Sequence, residues 1–168
     1  PPYLSVTGVN MLANGRFEAF AGSVPDGWTK SGNGALTKET TIKVSTSAHS
    51  VKIVNGSTAT FLWQTPSAVA YRGKRVTLAV LMRIDSGGTG PSGRVRLYYD
   101  GAGALLVANN PGESGLNGFR WIIIPGILMP ADATQLGAYL YAHSAASQAG
   151  TIYLDRVALV EGEIPRGA

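Results

Sequence analysis

The sequence predicts an all-β domain, an antiparallel jelly-roll sandwich of two sheets. Short runs rich in Val, Ile, Thr, Tyr or Trp alternate with clusters of Gly, Pro, Ser and Asn, as strands and turns do. No stretch of twelve residues shows the three-four apolar spacing of a helix, and Ala131–Leu136 forms one helical turn at most. About eight strands in one chain of 168 residues suit a two-layer sandwich.

Eight runs are predicted as strands from their β-branched and aromatic content. The clearest ones also alternate: Val95, Leu97 and Tyr99 point one way, whereas Arg94, Arg96 and Tyr98 point the other. The same period of two separates the side chains of the runs that begin at residues 75 and 135. In order, the predicted strands are Thr41–Ser45, Ser50–Asn55, Thr60–Thr65, Arg75–Ile84, Arg94–Tyr99, Arg120–Ile124, Gln135–Ala142 and Thr151–Glu161.

The composition excludes several classes of protein and kinds of site. The net charge is +4 with scattered Lys and Arg, so anionic partners are tolerated but no polybasic segment is present. The absence of cysteine excludes a thiolate metal site and a cysteine nucleophile. No apolar run approaches the ~20 residues of a membrane-spanning helix, and no signal peptide is visible. Without an initial methionine, the chain is expected to be part of a longer polypeptide, with a connecting segment (1–9), one domain (10–162) and a tail (163–168).

Several segments resemble the family 4/9 type of carbohydrate-binding module, in the family's order. Asn14–Glu18 resembles the opening N-G-x-F-E, and Pro25–Trp28 resembles the P-x-G-W that follows it. Further matches extend the resemblance over about residues 10–160. They are Ser47–Ile53, Phe61–Thr65, Gly73–Leu78, the pair Arg120-Trp121 and the closing segment Tyr153–Leu159.

The resemblance implies a β jelly roll with a concave glycan-binding sheet, and often a structural calcium ion. Two positions depart from the family pattern: Arg156 replaces the usual second Asp, and His49 replaces a small residue. The segment Leu159–Pro165 resembles the L-x-E-G-x-x-P ending that follows such modules in phage tail fibres and tailspikes. The expected location is therefore the virion surface or, for an enzyme accessory module, the extracellular space.

Glu18 and Asp155 are the candidate calcium ligands. They lie near the first and last strands, which can be neighbours in a jelly roll, and calcium takes several oxygen ligands, including backbone carbonyls. The resemblance places such carbonyls near Arg16 and around His49. The alternative is that the two carboxylates form ordinary ion pairs with Arg16 and Arg156.

The candidate ligand-binding residues combine aromatic rings with fork-like donors. Sugars present apolar C–H faces that stack on aromatic rings. Arg can bind a carboxylate through two hydrogen bonds, so an acidic glycan would suit these residues. The alternative is that Arg solvates the outside of a sheet and Tyr covers its neighbours. Trp63 could stack on a sugar or pack at the rim of the sandwich. The candidates are Trp63, Arg94, Arg96, Tyr98, Tyr139 and Tyr141, with Arg83 as a further one.

Catalysis and nucleic-acid binding are not expected. The ten acidic residues are dispersed, and neither a nucleophile elbow nor a zinc or phosphate-binding motif is present. His49 is expected at a strand edge and His143 in a loop, while Trp28 and Trp121 are expected in the core. Arg94, Arg96 and Tyr98 alone do not form the basic stripe that nucleic-acid binding needs.

The sequence thus predicts a non-catalytic module that recognises a carbohydrate, specifically a bacterial surface glycan contacted by a phage tail fibre or tailspike. Two alternatives stay open. One is a structural module that caps a fibre or forms its homotrimer and binds no sugar. The other is a polysaccharide-binding accessory module of a secreted glycoside hydrolase.

Overall fold

The structure is a computed structural model that describes residues 9–85, 92–101, 104–109, 116–143 and 145–162. The described residues form ten strands and a short 3-10 turn at Val69–Tyr71. The strands are β1 (Thr29–Ser31), β2 (Ala35–Glu39), β3 (Ser50–Val54), β4 (Phe61–Gln64), β5 (Arg75–Asp85), β6 (Ser92–Gly101), β7 (Ala104–Asn109), β8 (Leu116–Leu128), β9 (Leu136–His143) and β10 (Thr151–Glu161).

The strands form two five-stranded antiparallel sheets, which confirms the predicted fold class. The first sheet has the order β1-β4-β9-β6-β7, and the second has the order β2-β3-β10-β5-β8. Alternate residues of both sheets meet in one hydrophobic core, because a sheet that is apolar on one face must bury that face against another layer. Leu62, Leu97 and Leu140 enter the core from the first sheet, and Leu78 and Leu154 enter it from the second.

Strand β10 contains a bulge that divides its edge between two partners. Leu154 pairs with Met82 of β5 and Arg156 pairs with Leu81, so Asp155 is the extra residue of β10. Before the bulge, β10 pairs with β3. After the bulge, the Val157 amide donates to the Gly15 carbonyl over 2.7 Å. The N-terminal segment therefore takes the place of β3 beside this part of β10.

Seven of the eight predicted strands are present, although β8 is much longer than the predicted Arg120–Ile124. The prediction of a strand at Thr41–Ser45 is wrong: this segment consists of bends and turns. The Glu39 carboxylate accepts bonds from the Thr41 and Ile42 amides (2.7 and 3.3 Å), and Asp155 accepts one from the Val44 amide (2.8 Å). Side-chain acceptors therefore take the amides that a ladder would need.

Three strands were not predicted: β1, β2 and β7. Each lies at the edge of its sheet. Sequences such as Thr-Lys-Ser in β1 are short and polar, and only Leu36 is buried within β2. Because β1 and β2 have one core residue between them, they lack the alternation that identifies longer strands.

Candidate functional site

The outward face of the first sheet carries a continuous group of aromatic and arginine side chains. We call this group the aromatic face. On the central strands β4, β9 and β6, the residues that alternate with it, such as Leu62, Leu140 and Val95, are fully buried in the core. The period of two therefore directs its members away from the core. The members are Phe61, Trp63, Arg94, Arg96, Tyr98, Tyr139 and Tyr141.

Phe61, Tyr141 and Arg96 form a stack that runs across three strands. The rings of Phe61 and Tyr141 have their centroids 4.3 Å apart and their planes 24° apart. The Arg96 guanidinium carbon lies 4.8 Å from the Tyr141 centroid. Because β9 lies between β4 and β6, Phe61 and Arg96 flank Tyr141 on opposite sides. Tyr141 is consequently only 8% exposed.

Trp63, Tyr139 and Tyr98 form a second and more accessible row. Trp63 and Tyr139 are nearly parallel, with an angle of 8° and a centroid distance of 5.8 Å, and the Tyr98 ring lies 5.6 Å from that of Tyr139. The Trp63 Nε1–H donates to the Ser31 hydroxyl on β1 over 3.1 Å, which anchors the indole. Partial burial, together with the neighbouring tyrosines, raises the pKa of the Tyr139 hydroxyl. Tyr139 therefore stays a neutral hydrogen-bond donor at neutral pH.

Six of the seven residues predicted to bind the ligand lie on this one face. The seventh, Arg83, lies on β5 of the second sheet and forms an ion pair with Asp85. Tyr141 differs from the other five because both faces of its ring are already covered, so it cannot stack on a sugar. Sequence reasoning missed Phe61 and Ser31. Phe61 could have been found, since it precedes Trp63 by two residues and so shares its face.

The other predicted tryptophans have different environments. Trp28 is 6% exposed and packs on Phe17 with a ring distance of 5.3 Å, which confirms its predicted core position. The core prediction for Trp121 is wrong. Ile122 and Ile124 point into the core, so Trp121 lies half-buried on the opposite, outward face of the second sheet.

Asp155 is fully buried and held by hydrogen-bond donors of the protein. Its Oδ2 accepts a bond from the Val44 amide (2.8 Å), and its Oδ1 accepts one from the Ser47 hydroxyl (2.6 Å). The Arg156 Nε lies 3.6 Å from Oδ1, which matches the ion pair foreseen as the alternative to calcium. These contacts anchor the 40–48 loop to the bulge of β10.

Glu18 has a different neighbour. Its Oε2 lies 4.0 Å from Nε2 of His49, a buried residue that packs edge-on against the ring of Phe20. Within the described part of the chain, no three His, Cys, Asp or Glu side chains are close enough to hold a metal ion. Both Asp155 carboxylate oxygens instead accept hydrogen bonds from protein donors, the Val44 N–H and the Ser47 O–H.

Calcium binding by Glu18 and Asp155 stays a prediction of the sequence, and a chelator tests it. A site occupied at 100 times its Kd adds about 2.7 kcal/mol of stability, or roughly 5–10 °C in Tm for a chain of this size. The prediction therefore requires a drop of that order when EDTA replaces calcium in thermal unfolding. An unchanged Tm, with no heat of calcium binding in calorimetry, would reject it.

Neither histidine lies in an arrangement that indicates catalysis. His49 directly precedes β3, in agreement with its predicted position at a strand edge. The loop prediction for His143 is wrong, because it is the buried last residue of β9. Its Nδ1 accepts a bond from the Ala145 amide over 3.0 Å.

The two-sheet β-sandwich is similar to the folds of solved carbohydrate-binding modules. The chain superposes on the family 16 carbohydrate-binding module-2 with a TM-score of 0.66 and 17% identity, over 90% of this chain and 100% of the other. For the C-terminal family 22 module of Clostridium thermocellum Xyn10B, the TM-score is 0.62 and the identity 19%, over 92% of this chain and 98% of the module. At these identities, the likeness establishes the fold.

A third similar structure is the enzymatically active domain of tailspike protein 4 from bacteriophage CBA120. Its TM-score is 0.65 at 15% identity, and the match covers 90% of this chain but only 21% of the tailspike chain. No protein-family model and no curated protein matches the sequence. The resemblance to family 4/9 therefore stays a prediction. None of the described helical segments is long and apolar enough to cross a membrane.

Proposed function

We propose that this chain is a non-catalytic carbohydrate-binding module that holds a glycan on its aromatic face. One observation carries the proposal: three adjacent strands direct five aromatic side chains and two arginines to one outward surface. Rings supply the stacking surface for sugar C–H groups, and Tyr hydroxyls and Arg supply donors for sugar oxygens. The structurally similar modules of families 16 and 22 support this reading through their shared fold.

The absence of an acid pair on this face supports a binding role over catalysis. Glycoside hydrolysis requires two carboxyl groups roughly 5–10 Å apart. Among the described residues of β4, β9 and β6, the only acidic side chain is Asp100, at the far end of β6. Its carboxylate accepts bonds from the amides of Thr134 (2.7 Å) and Gln135 (2.8 Å), so it serves the turn before β9.

The glycan we propose is a bacterial surface polysaccharide, contacted by a phage tail fibre or tailspike at the virion surface. The ending Leu159–Pro165 and the structural similarity to a phage tailspike support this setting. An accessory module of an extracellular glycoside hydrolase would use the same face on plant or fungal polysaccharides. A homotrimeric fibre cap is the structural alternative, and light scattering distinguishes a trimer from a monomer.

The test of the proposed face removes its two most accessible rings. We expect the double variant Trp63→Ala/Tyr139→Ala to lose at least about 30-fold in glycan affinity, the cost of truncating a binding hot spot. Affinity electrophoresis in gels that contain bacterial surface polysaccharides measures the effect. Circular dichroism checks that this double variant and the control variant described next are folded.

The matched control carries the same two substitutions away from this face, at Trp121 and Tyr71. Both are half-buried, as Trp63 and Tyr139 are. Trp121→Ala/Tyr71→Ala should therefore bind as the unmodified chain does. Equal affinities for the two double variants would remove the glycan site from the aromatic face.

A further inference from the structure

Among the residues that the structure describes, Arg96 is held in place on the aromatic face by Tyr141 and has no acidic partner. Its guanidinium lies over the Tyr141 ring, 4.8 Å from the centroid, and its Nη1 is 3.5 Å from the Tyr141 hydroxyl. A cation over an aromatic face gains electrostatic attraction, which fixes the guanidinium before any ligand arrives. Among the described residues, no carboxylate forms an ion pair with Arg96, and its buried Nε has no hydrogen-bond partner.

Within the described part of the chain, no acidic side chain on this face pairs with Arg96. Asp100 is the acid on the same side of β6, but its carboxylate accepts hydrogen bonds from the Gln135 and Thr134 amides rather than from Arg96. Arg94 adds a second positive charge to the face and has an interaction of its own. The outward face of the first sheet thus combines aromatic rings with positive charge.

From this arrangement, and resting on the function proposed above, we infer that the module selects sugars that carry a carboxylate, such as uronic acids. Arg96 is the specificity-determining residue. Its planar fork of N–H donors matches the two oxygens of a carboxylate, a geometry that lysine cannot reproduce. Tyr141, which is covered on both faces, acts as a positioning residue that presents Arg96. Trp63 and Tyr139 supply the stacking surface beside it.

The experiment compares one polysaccharide in two forms. The probes are uronic-acid-containing bacterial capsular polysaccharides and the same polymers after their carboxyl groups have been reduced to neutral alcohols. We expect the acidic form to bind about 10- to 100-fold more tightly, the value of a hydrogen-bonded charged group. The preference should weaken as salt is added, because surface charges are screened.

Variants assign the preference to Arg96. Arg96→Gln should bind both forms equally, at the affinity that the unmodified chain has for the neutral form. Arg96→Lys keeps the charge but loses the fork, and should retain only part of the preference. Arg16→Gln is the control, because it removes the same charge from an exposed position away from the aromatic face, and its preference should stay intact.

The outcomes separate this inference from the proposed function. If the unmodified chain binds both forms equally, or Arg96→Gln keeps the full preference, selection of acidic sugars by Arg96 is overturned while glycan binding stands. If no polysaccharide binds in either form, the proposed function itself fails and the inference fails with it.

Discussion

Asp155→Ala is expected to lower the free energy of unfolding by about 3–5 kcal/mol, the cost of breaking a buried charged contact. The substitution removes the acceptor of the Val44 amide and the Ser47 hydroxyl, at a site that is fully buried. It also leaves Arg156 without its carboxylate. Because domains are stable by only about 5–15 kcal/mol, this loss is a large share of the total.

Equilibrium urea unfolding in the presence of EDTA measures the effect with metal binding excluded. The control is Glu161→Ala, which removes an exposed acid that lies 3.2 Å from the Lys74 ammonium. Such surface pairs contribute about 0–1 kcal/mol, so the control should unfold almost as the unmodified chain does. A loss below about 1 kcal/mol for Asp155→Ala would show that the bulge does not depend on this carboxylate.

Phe17→Ala is expected to cost about 3–5 kcal/mol as well, through a cavity in the core. Phe17 is completely buried and packs against the Trp28 ring. Its φ of 54° lies in the left-handed region, which residues other than glycine rarely adopt. The same unfolding measurement applies.

Val69→Ala is the corresponding control for apolar truncation. Its side chain is 53% exposed, and the change is expected to stay within about 0.5 kcal/mol. Phe17→Leu, which refills most of the volume, should recover a large part of the loss. If Phe17→Ala unfolds like the control, the N-terminal turn contributes little to the stability of the sandwich.

The predictable part of the fold is the part whose side chains alternate. Long strands such as β5 and β10 were found because every second residue must enter the core. The segment 41–45 has the composition of a strand, but its amides are taken by Glu39 and Asp155. The Val44 amide and the Asp155 carboxylate are more than a hundred residues apart in the sequence. Their hydrogen bond depends on the tertiary fold, so no local sequence pattern predicts it.

The candidate site was predictable strand by strand, whereas its internal contacts were not. Alternation within β6 and β9 puts Arg96 and Tyr141 on outward positions, but the pairing of these strands decides which side chains meet. That register covers Tyr141 with Phe61 and Arg96. Tyr141 was predicted to stack on a sugar, but in this register its ring instead supports the Arg96 guanidinium.

The hydrogen bonds at the end of β10 have a consequence for inserting this domain into another protein. The Met11 amide donates to the Leu159 carbonyl (2.9 Å), and the Asn10 side chain bridges to Val157 and Leu159. The polypeptide thus enters and leaves the sandwich side by side, on the layer opposite the aromatic face. Such a unit can be inserted into a surface loop of another protein without separating the two ends of that loop, and the aromatic face then points away from the junction.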